Sequence, residues 1–208
     1  MLQRLSLSYA PRASKMQTLG LFALDARLAE IVRKACEPAM AQLRLAWWRE
    51  AFARPVATWP SGEPLLACLE VWEGHIPALA KLVDAWEEMT AEAPMPADRL
   101  AQLGRARGYT FAALAELVGA PEDADLAFRM GQGWALVDIR QRVSHPEEQA
   151  RLDELALSCD WSSDRLSRKM RPLTVLHGMA RRQLSALHDE PHSLSALFHA
   201  IRLGLLGR

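Results

Sequence analysis

Cysteine is scarce in this chain of 208 residues, which has only Cys36, Cys68 and Cys159, far apart from one another. No CxxC pair occurs, and no spacing of histidine and cysteine matches a zinc ligand set. The sequence therefore predicts neither a disulfide framework nor a metal site.

Net charge is absent as well, because 25 basic residues balance 25 acidic ones. Nucleic-acid-binding proteins normally carry a basic excess that neutralises phosphates, so we expect no nucleic-acid partner.

Long apolar runs are also missing. A membrane-spanning helix needs about 18 uninterrupted apolar residues, and no segment of the sequence offers them. The N-terminal stretch MLQRLSLSYAPRAS lacks the continuous apolar core of a secretory signal. We therefore expect a cytoplasmic location, and peripheral contact with a membrane stays open.

Helical periodicity dominates what is present, and half of the residues are hydrophobic. Prolines fall where the first turn of a helix tolerates them, as at Pro38, Pro64 and Pro121. The apolar period predicts helices at about 15–35, 38–53, 64–73, 76–90, 97–118, 121–143, 146–158, 162–187 and 193–206. No repeat or shift in composition marks a second domain. We therefore predict an all-α, single-domain, multi-helix bundle over residues 1–208.

The segment EPAMAQLRLAWWREAF, residues 37–52, places an arginine close to two tryptophans. On a helical wheel it has two neighbouring apolar stripes, and we expect both to face the core. The members are Met40, Leu43, Trp47 and Ala51 in one stripe, and Ala41, Leu45, Trp48 and Phe52 in the other. Arg44 falls between the stripes, so its side chain is predicted to point inward.

Two aspartates repeat this pattern with the opposite charge. Asp25 lies within the apolar face of the helix at 15–35, and Asp138 lies in a helix that is apolar around most of its circumference. A buried charge without a partner costs several kcal/mol. We therefore predict that Asp25, Arg44 and Asp138 meet in one internal polar cluster. The pattern leaves open whether such a cluster has a function or only satisfies the core.

The segment LGLFALDARLAEIVRKACEPAMAQLRLAWWREAF resembles the opening helix pair of the squalene/phytoene synthase-like family. Members of that family carry an alanine- and phenylalanine-rich helix with acidic residues, followed by a helix of the QLRLQWWRD type. GYTFAALAELVG and GQGWALVDIRQRV are similar to later family segments, and the order and spacing match from about residue 18 to 145. The resemblance implies an isoprenoid synthase fold, here with a reduced central cavity. Active members bind two prenyl diphosphates on magnesium ions held by two DxxxD motifs.

The sequence departs from the family at both motifs. Asp25 is present, but Ala29 stands four residues later. In the second motif the expected arginine–aspartate pair falls on Gln141 and Arg142, with Pro146 four residues further on. An arginine in place of a magnesium-binding aspartate inverts the local charge. Magnesium-dependent prenyl transfer is therefore not expected.

These departures predict a pseudoenzyme without catalytic residues, metal or cofactor that acts as a binding or assembly-type protein. One branch of the family lacks the aspartate motifs and serves as an assembly factor for respiratory complex I, and the losses here are similar. The candidate cavity and binding residues are Asp25, Arg44, Trp48, Asp138 and Arg142. The expected partners are an isoprenoid or lipid-like small molecule and another protein.

Two alternatives stay open. One is an enzyme of isoprenoid (terpenoid) metabolism that grips a diphosphate with Asp25 and with Arg140 or Arg142, because arginine can bind phosphate directly. Magnesium would be a cofactor only in this case. The other alternative is a structural remnant whose hydrophobic surface forms an oligomer.

Overall fold

The computed structural model describes residues 2–35, 37–162, 164–186, 202–205 and 207. These residues form helices and connecting segments without any β-strand, so the predicted all-α class is confirmed. The α-helices, to which residues 202–205 add one helical turn, are α1 (Leu2–Ser8), α2 (Arg12–Lys34), α3 (Pro38–Phe52), α4 (Pro64–Leu69), α5 (Ile76–Glu88), α6 (Ala97–Leu117), α7 (Ala124–Arg140), α8 (Pro146–Leu157) and α9 (Arg171–Ala186). Short 3₁₀-helices lie at Val56–Thr58, Glu70–Trp72, Pro121–Asp123 and Arg168–Met170.

The helices pack around α6 and α7, which contact each other along their length. α5 packs against α6 on one side and α3 on the other, while α9 and α8 pack against α7. α2 reaches α5 and α6 from the N-terminal part of the chain. Leu24 of α2, Leu82 of α5 and Leu103 of α6 are fully buried where these helices meet. Side chains from α2, α5, α6 and α7 therefore share one interior.

The sequence prediction missed one helix and placed the start of another too early. No helix was expected before residue 15, yet α1 forms and packs against α9 and α2. Seven residues are too few for a stable isolated helix, so these tertiary contacts are what hold it. The helix predicted at 162–187 begins at Arg171, because the Ser167 N–H donates to Asp123 Oδ2 at 2.9 Å and the preceding chain is drawn out of a helix.

Of the last predicted helix, at 193–206, residues 193–201 and 206 lie outside the described residues, while 202–205 are helical. Within the described part of the chain, no helix combines the length and the apolar character that crossing a bilayer requires.

Candidate functional site

Glycines set the distance between α6 and α7. A Cβ atom at Gly108 would lie 2.8 Å from the Phe128 carbonyl oxygen, and one at Gly131 would lie 2.7 Å from Phe111 Cδ2. Both distances are shorter than van der Waals contact, so the helices approach this closely only because the two positions lack a Cβ. Arg107 precedes Gly108 and is buried in this region, with 2% of its side chain exposed.

Arg107 binds two carboxylates from different helices. Its Nε donates to Asp25 Oδ1 at 3.0 Å and its Nη2 donates to Asp25 Oδ2 at 2.9 Å, which makes a bidentate pair. Its Nη1 donates to Asp138 Oδ2 at 2.9 Å. One guanidinium on α6 thus joins an aspartate of α2 to an aspartate of α7.

Two tryptophans enclose the same guanidinium. The Arg107 Cζ lies 5.2 Å from the ring centroid of Trp86 and 5.1 Å from that of Trp134, both within cation–π range. Trp86 also donates its Nε1–H to Asp25 Oδ1 at 2.9 Å. The tryptophans therefore exclude water from the ion pair, and Trp86 additionally fixes the carboxylate of Asp25.

Arg142 completes the set at its outer end. Its Nε donates to Asp138 Oδ2 and its Nη2 donates to Asp138 Oδ1, each at 2.9 Å. The Asp138 side chain is 16% exposed and that of Arg142 is 53% exposed, so the set runs from the interior to the surface. We call Asp25, Arg107, Asp138 and Arg142 the Arg107 cluster. It contains two carboxylates and two guanidinium groups, and its formal charge is zero.

Arg107 and Asp138 each favour the ionised form of the other. Burial disfavours the protonated Arg107, but Asp25 and Asp138 more than compensate and raise the pKa of Arg107 above its usual value. Burial likewise opposes ionisation of Asp138, but Arg107 and Arg142 outweigh it and lower the pKa of Asp138. Arg107 and Asp138 are therefore both ionised at neutral pH.

A pocket of about 640 Å³ lies against the Arg107 cluster. We call it the Asp25 pocket. Its polar lining consists of Gln3, Asp25, Glu30, Arg33, Arg107 and Arg142. Its apolar lining consists of Ala26, Ala29, Val32, Trp86, Met89, Met95, Leu103, Ile139 and Val143. This volume lies within the range of pockets that hold small molecules.

The structure brings together three of the residues expected from the sequence, namely Asp25, Asp138 and Arg142. The predicted place of Arg44 in this cluster is wrong, because its side chain is exposed. Trp48 is buried, but it lines a different groove, beside Trp47 and Arg44. The binding role assigned to these residues stays a prediction.

Arg107 and Trp86 were missed. The sequence did contain a signal for Arg107, because Leu103 and Phe111 lie four residues before and after it on a helix with a strong apolar face. Trp86 had no comparable signal, since a tryptophan on an apolar helix face is ordinary packing.

Comparisons with protein-family models, with curated proteins and with solved structures gave no match to this chain. Among the described residues, no group of three or more histidine, cysteine, aspartate and glutamate side chains is placed to hold a metal ion.

Proposed function

We propose that this chain is a squalene/phytoene synthase-like protein with an isoprenoid synthase type of bundle that binds a ligand without catalysing prenyl transfer. The observation that carries the proposal is the state of the two buried aspartates. Every carboxylate oxygen of Asp25 and Asp138 accepts at least one hydrogen bond from Arg107, Arg142 or Trp86. These carboxylates have the partners that a structural role requires, and their negative charge is neutralised.

Magnesium does not fit this donor set. A magnesium site in the resembled family draws on several carboxylates that face one cavity, and Mg²⁺ prefers oxygen ligands in a negatively charged environment. Here a magnesium ion at Asp25 would have to displace Arg107, which is 2% exposed and donates to both carboxylate oxygens of Asp25. The remaining guanidinium group of the cluster, that of Arg142, would repel the ion. The chemistry of the donor set therefore supports a binding protein over the metal-dependent enzyme.

The lining of the Asp25 pocket supports an isoprenoid or lipid-like ligand. Its walls combine aliphatic and thioether side chains such as Val32, Met89 and Leu103 with polar and charged ones. A ligand that has both an apolar chain and a polar group matches that composition. An assembly-type role would add a protein partner to such a ligand-holding bundle.

One observation favours the enzyme alternative. Arg142 uses only its Nε and Nη2 to bind Asp138, its side chain is 53% exposed, and Arg33 lines the same pocket. Among the described residues Arg142 Nη1 has no hydrogen-bond partner, so it can donate to a phosphate oxygen in the pocket. Such a site would bind a diphosphate through arginine without the family's metal cluster.

Turnover separates the two functions. Purified protein is incubated with farnesyl or geranylgeranyl diphosphate, magnesium and NADPH, and the extract is analysed for C30 and C40 hydrocarbons. We expect no product. Robust turnover that disappears in a folded Asp25→Ala variant would overturn the proposal and establish the enzyme.

Calorimetric titration tests the binding role with a matched pair of variants. Farnesol is titrated into the wild-type protein, Ala29→Trp and Ala150→Trp. Ala29 lines the Asp25 pocket, so the indole should fill it and weaken binding by roughly tenfold or more. Ala150 is an exposed alanine of α8, and its substitution should leave binding unchanged. Equal affinity in both variants would place the ligand elsewhere, and no binding to the wild-type protein would remove an isoprenoid from the proposal.

A further inference from the structure

α3 has an exposed apolar stripe on the face that it turns away from the core. Met40, Leu43 and Trp47 are 46%, 67% and 40% exposed, and their spacing of three and four residues places them on one side of the helix. With Arg44, which is exposed beside them, we call these residues the α3 patch. The sequence pattern had assigned this stripe to the core, so its exposure needs an explanation of its own.

The opposite face of α3 is firmly anchored. Trp48 and Phe52 are 3% and 6% exposed, and the ring centroid of Phe52 lies 5.8 Å from that of Trp59, which lies outside α3. Arg49 forms ion pairs with Asp84 and Glu87 of α5. With one face fixed in this way, α3 cannot rotate to bury the α3 patch, and the patch is a permanent feature of the surface.

Basic side chains border the patch. A groove of about 460 Å³ beside Trp47 is lined by Arg27, Lys34 and Arg44, together with two glutamates. Lys34 pairs with one of these glutamates at 2.6 Å, and Arg27 lies 3.7 Å from the other. Within the described residues, no carboxylate pairs with Arg44. The groove therefore has an unbalanced positive charge next to the apolar stripe.

We propose that the α3 patch binds the surface of a lipid bilayer that contains anionic phospholipid. Leu43 and Met40 would enter the boundary between headgroups and acyl chains, as the apolar face of an interfacial helix does. Trp47 would lie at headgroup level, where its indole combines apolar and polar contacts. Arg44 would extend from the same face to a lipid phosphate, and its aliphatic stem would cover apolar surface.

A bilayer matches the patch better than a second copy of the chain. A two-fold interface would bring two copies of the positively charged groove together, which is unfavourable. A stable protein interface also buries about 800 Å² on each partner, which three partly exposed side chains cannot supply. A bilayer needs no such area from one small patch, and its phosphates supply the missing negative charge.

The patch and the Asp25 pocket are neighbours. Glu30 of α2 lines both the groove beside Trp47 and the Asp25 pocket. A bilayer held at the α3 patch would thus be close to the pocket mouth. Membrane binding is nevertheless independent of the proposed function, because it requires no ligand in the pocket.

Co-sedimentation with vesicles tests the proposal. The full chain is centrifuged with vesicles of phosphatidylcholine alone and with vesicles of phosphatidylcholine and phosphatidylglycerol in equal parts. We expect sedimentation with the mixed vesicles, weaker sedimentation with phosphatidylcholine alone, and a loss of binding as salt is raised. A blue shift of tryptophan emission that is absent in Trp47→Phe would place Trp47 in the bilayer.

Substitutions within and outside the patch identify the contact. Leu43→Glu should lower vesicle affinity by roughly tenfold or more, because it replaces the most exposed apolar side chain of the patch by a charge. Arg44→Gln should remove most of the preference for phosphatidylglycerol. Leu157→Glu is the matched control, since Leu157 of α8 is 59% exposed and lies outside the patch. Both Leu43→Glu and the control replace an exposed residue, and circular dichroism verifies that each variant is folded.

Three results would overturn the proposal. The wild-type protein could remain in the supernatant with both vesicles. Leu43→Glu and Leu157→Glu could lower binding equally, which would make the effect unspecific. Sedimentation equilibrium could show a dimer that Leu43→Glu dissociates, which would assign the patch to a second copy of the chain.

Discussion

Two arginines lie next to tryptophans in this molecule, and their surroundings differ in most other respects. Arg107 is 2% exposed, lies between Trp86 and Trp134, and binds two aspartates. Arg44 is exposed beside Trp47, and no carboxylate among the described residues pairs with it. Similar side chains thus form a buried ionic centre in one region and a surface patch in the other.

The helices that pack against α6 and against α3 explain why Arg107 is buried and Arg44 is exposed. α6 contacts α2, α5 and α7, so its apolar face is enclosed from several sides and Arg107 is enclosed with it. α3 packs chiefly against α5, and Met40, Leu43 and Trp47 of its first apolar stripe stay exposed. The environment of an arginine therefore depends on the neighbouring helices more than on the residues beside it in sequence.

The largest expected effect follows from removing the buried cation. Arg107→Met should lower the free energy of unfolding by about 3–5 kcal/mol, because it leaves Asp25 and Asp138 without their shared partner. Replacing all three residues, with Asp25→Leu and Asp138→Leu added, should be less destabilising than Arg107→Met alone. Urea unfolding at neutral pH measures each variant. If the triple loss equals the sum of the three single losses, the residues are not coupled and the cluster is not a unit.

A smaller effect on the free energy of unfolding is expected when Asp138 is protonated at acidic pH. The pKa of Asp138 is lower in the folded chain than in the unfolded one, whose value is about 3.9. Below that pH the unfolded chain binds more protons, so the stability that Asp138 contributes is present above it and is lost as the pH falls through the folded pKa. Asp138→Asn should flatten the dependence of unfolding free energy on pH in this range. Glu92→Gln, at an exposed loop residue, is the control that should keep the wild-type slope.

The smallest effect is expected on the other side of the comparison. Arg44→Ala should change the free energy of unfolding by less than about 0.5 kcal/mol, because the side chain is exposed and no carboxylate of the described residues pairs with it. The same urea titration provides the measurement. A loss close to that of Arg107→Met would mean that the two arginines are equivalent in the fold.

The helical class could be predicted from the sequence because apolar periodicity and proline placement are local properties. Pro38, Pro64 and Pro146 each stand at the first residue of a helix. α1 could not be predicted, because its seven residues depend on contacts with α9 and α2. The start of α9 was missed for a related reason, since Asp123 holds Ser167 from a distant part of the chain.

The candidate site could be predicted only in part. The helical-wheel pattern predicted that the side chains of Asp25 and Asp138 face the core, and both are largely buried. It could not tell which of the two stripes of α3 would be covered, so Arg44 was assigned inward. Finding Arg107 required knowing that Gly108 and Gly131 let α6 and α7 come together, which is a property of the pair of helices.

The Arg107 cluster also constrains how related sequences can diverge. Losing Asp25, Arg107 or Asp138 singly leaves a buried charge short of a partner, and only a joint change avoids that intermediate. Substitutions at the three positions should therefore be correlated, so that a relative keeps all three charges or has apolar residues at all three. Arg142 is 53% exposed and escapes this constraint, so it should vary independently of the others.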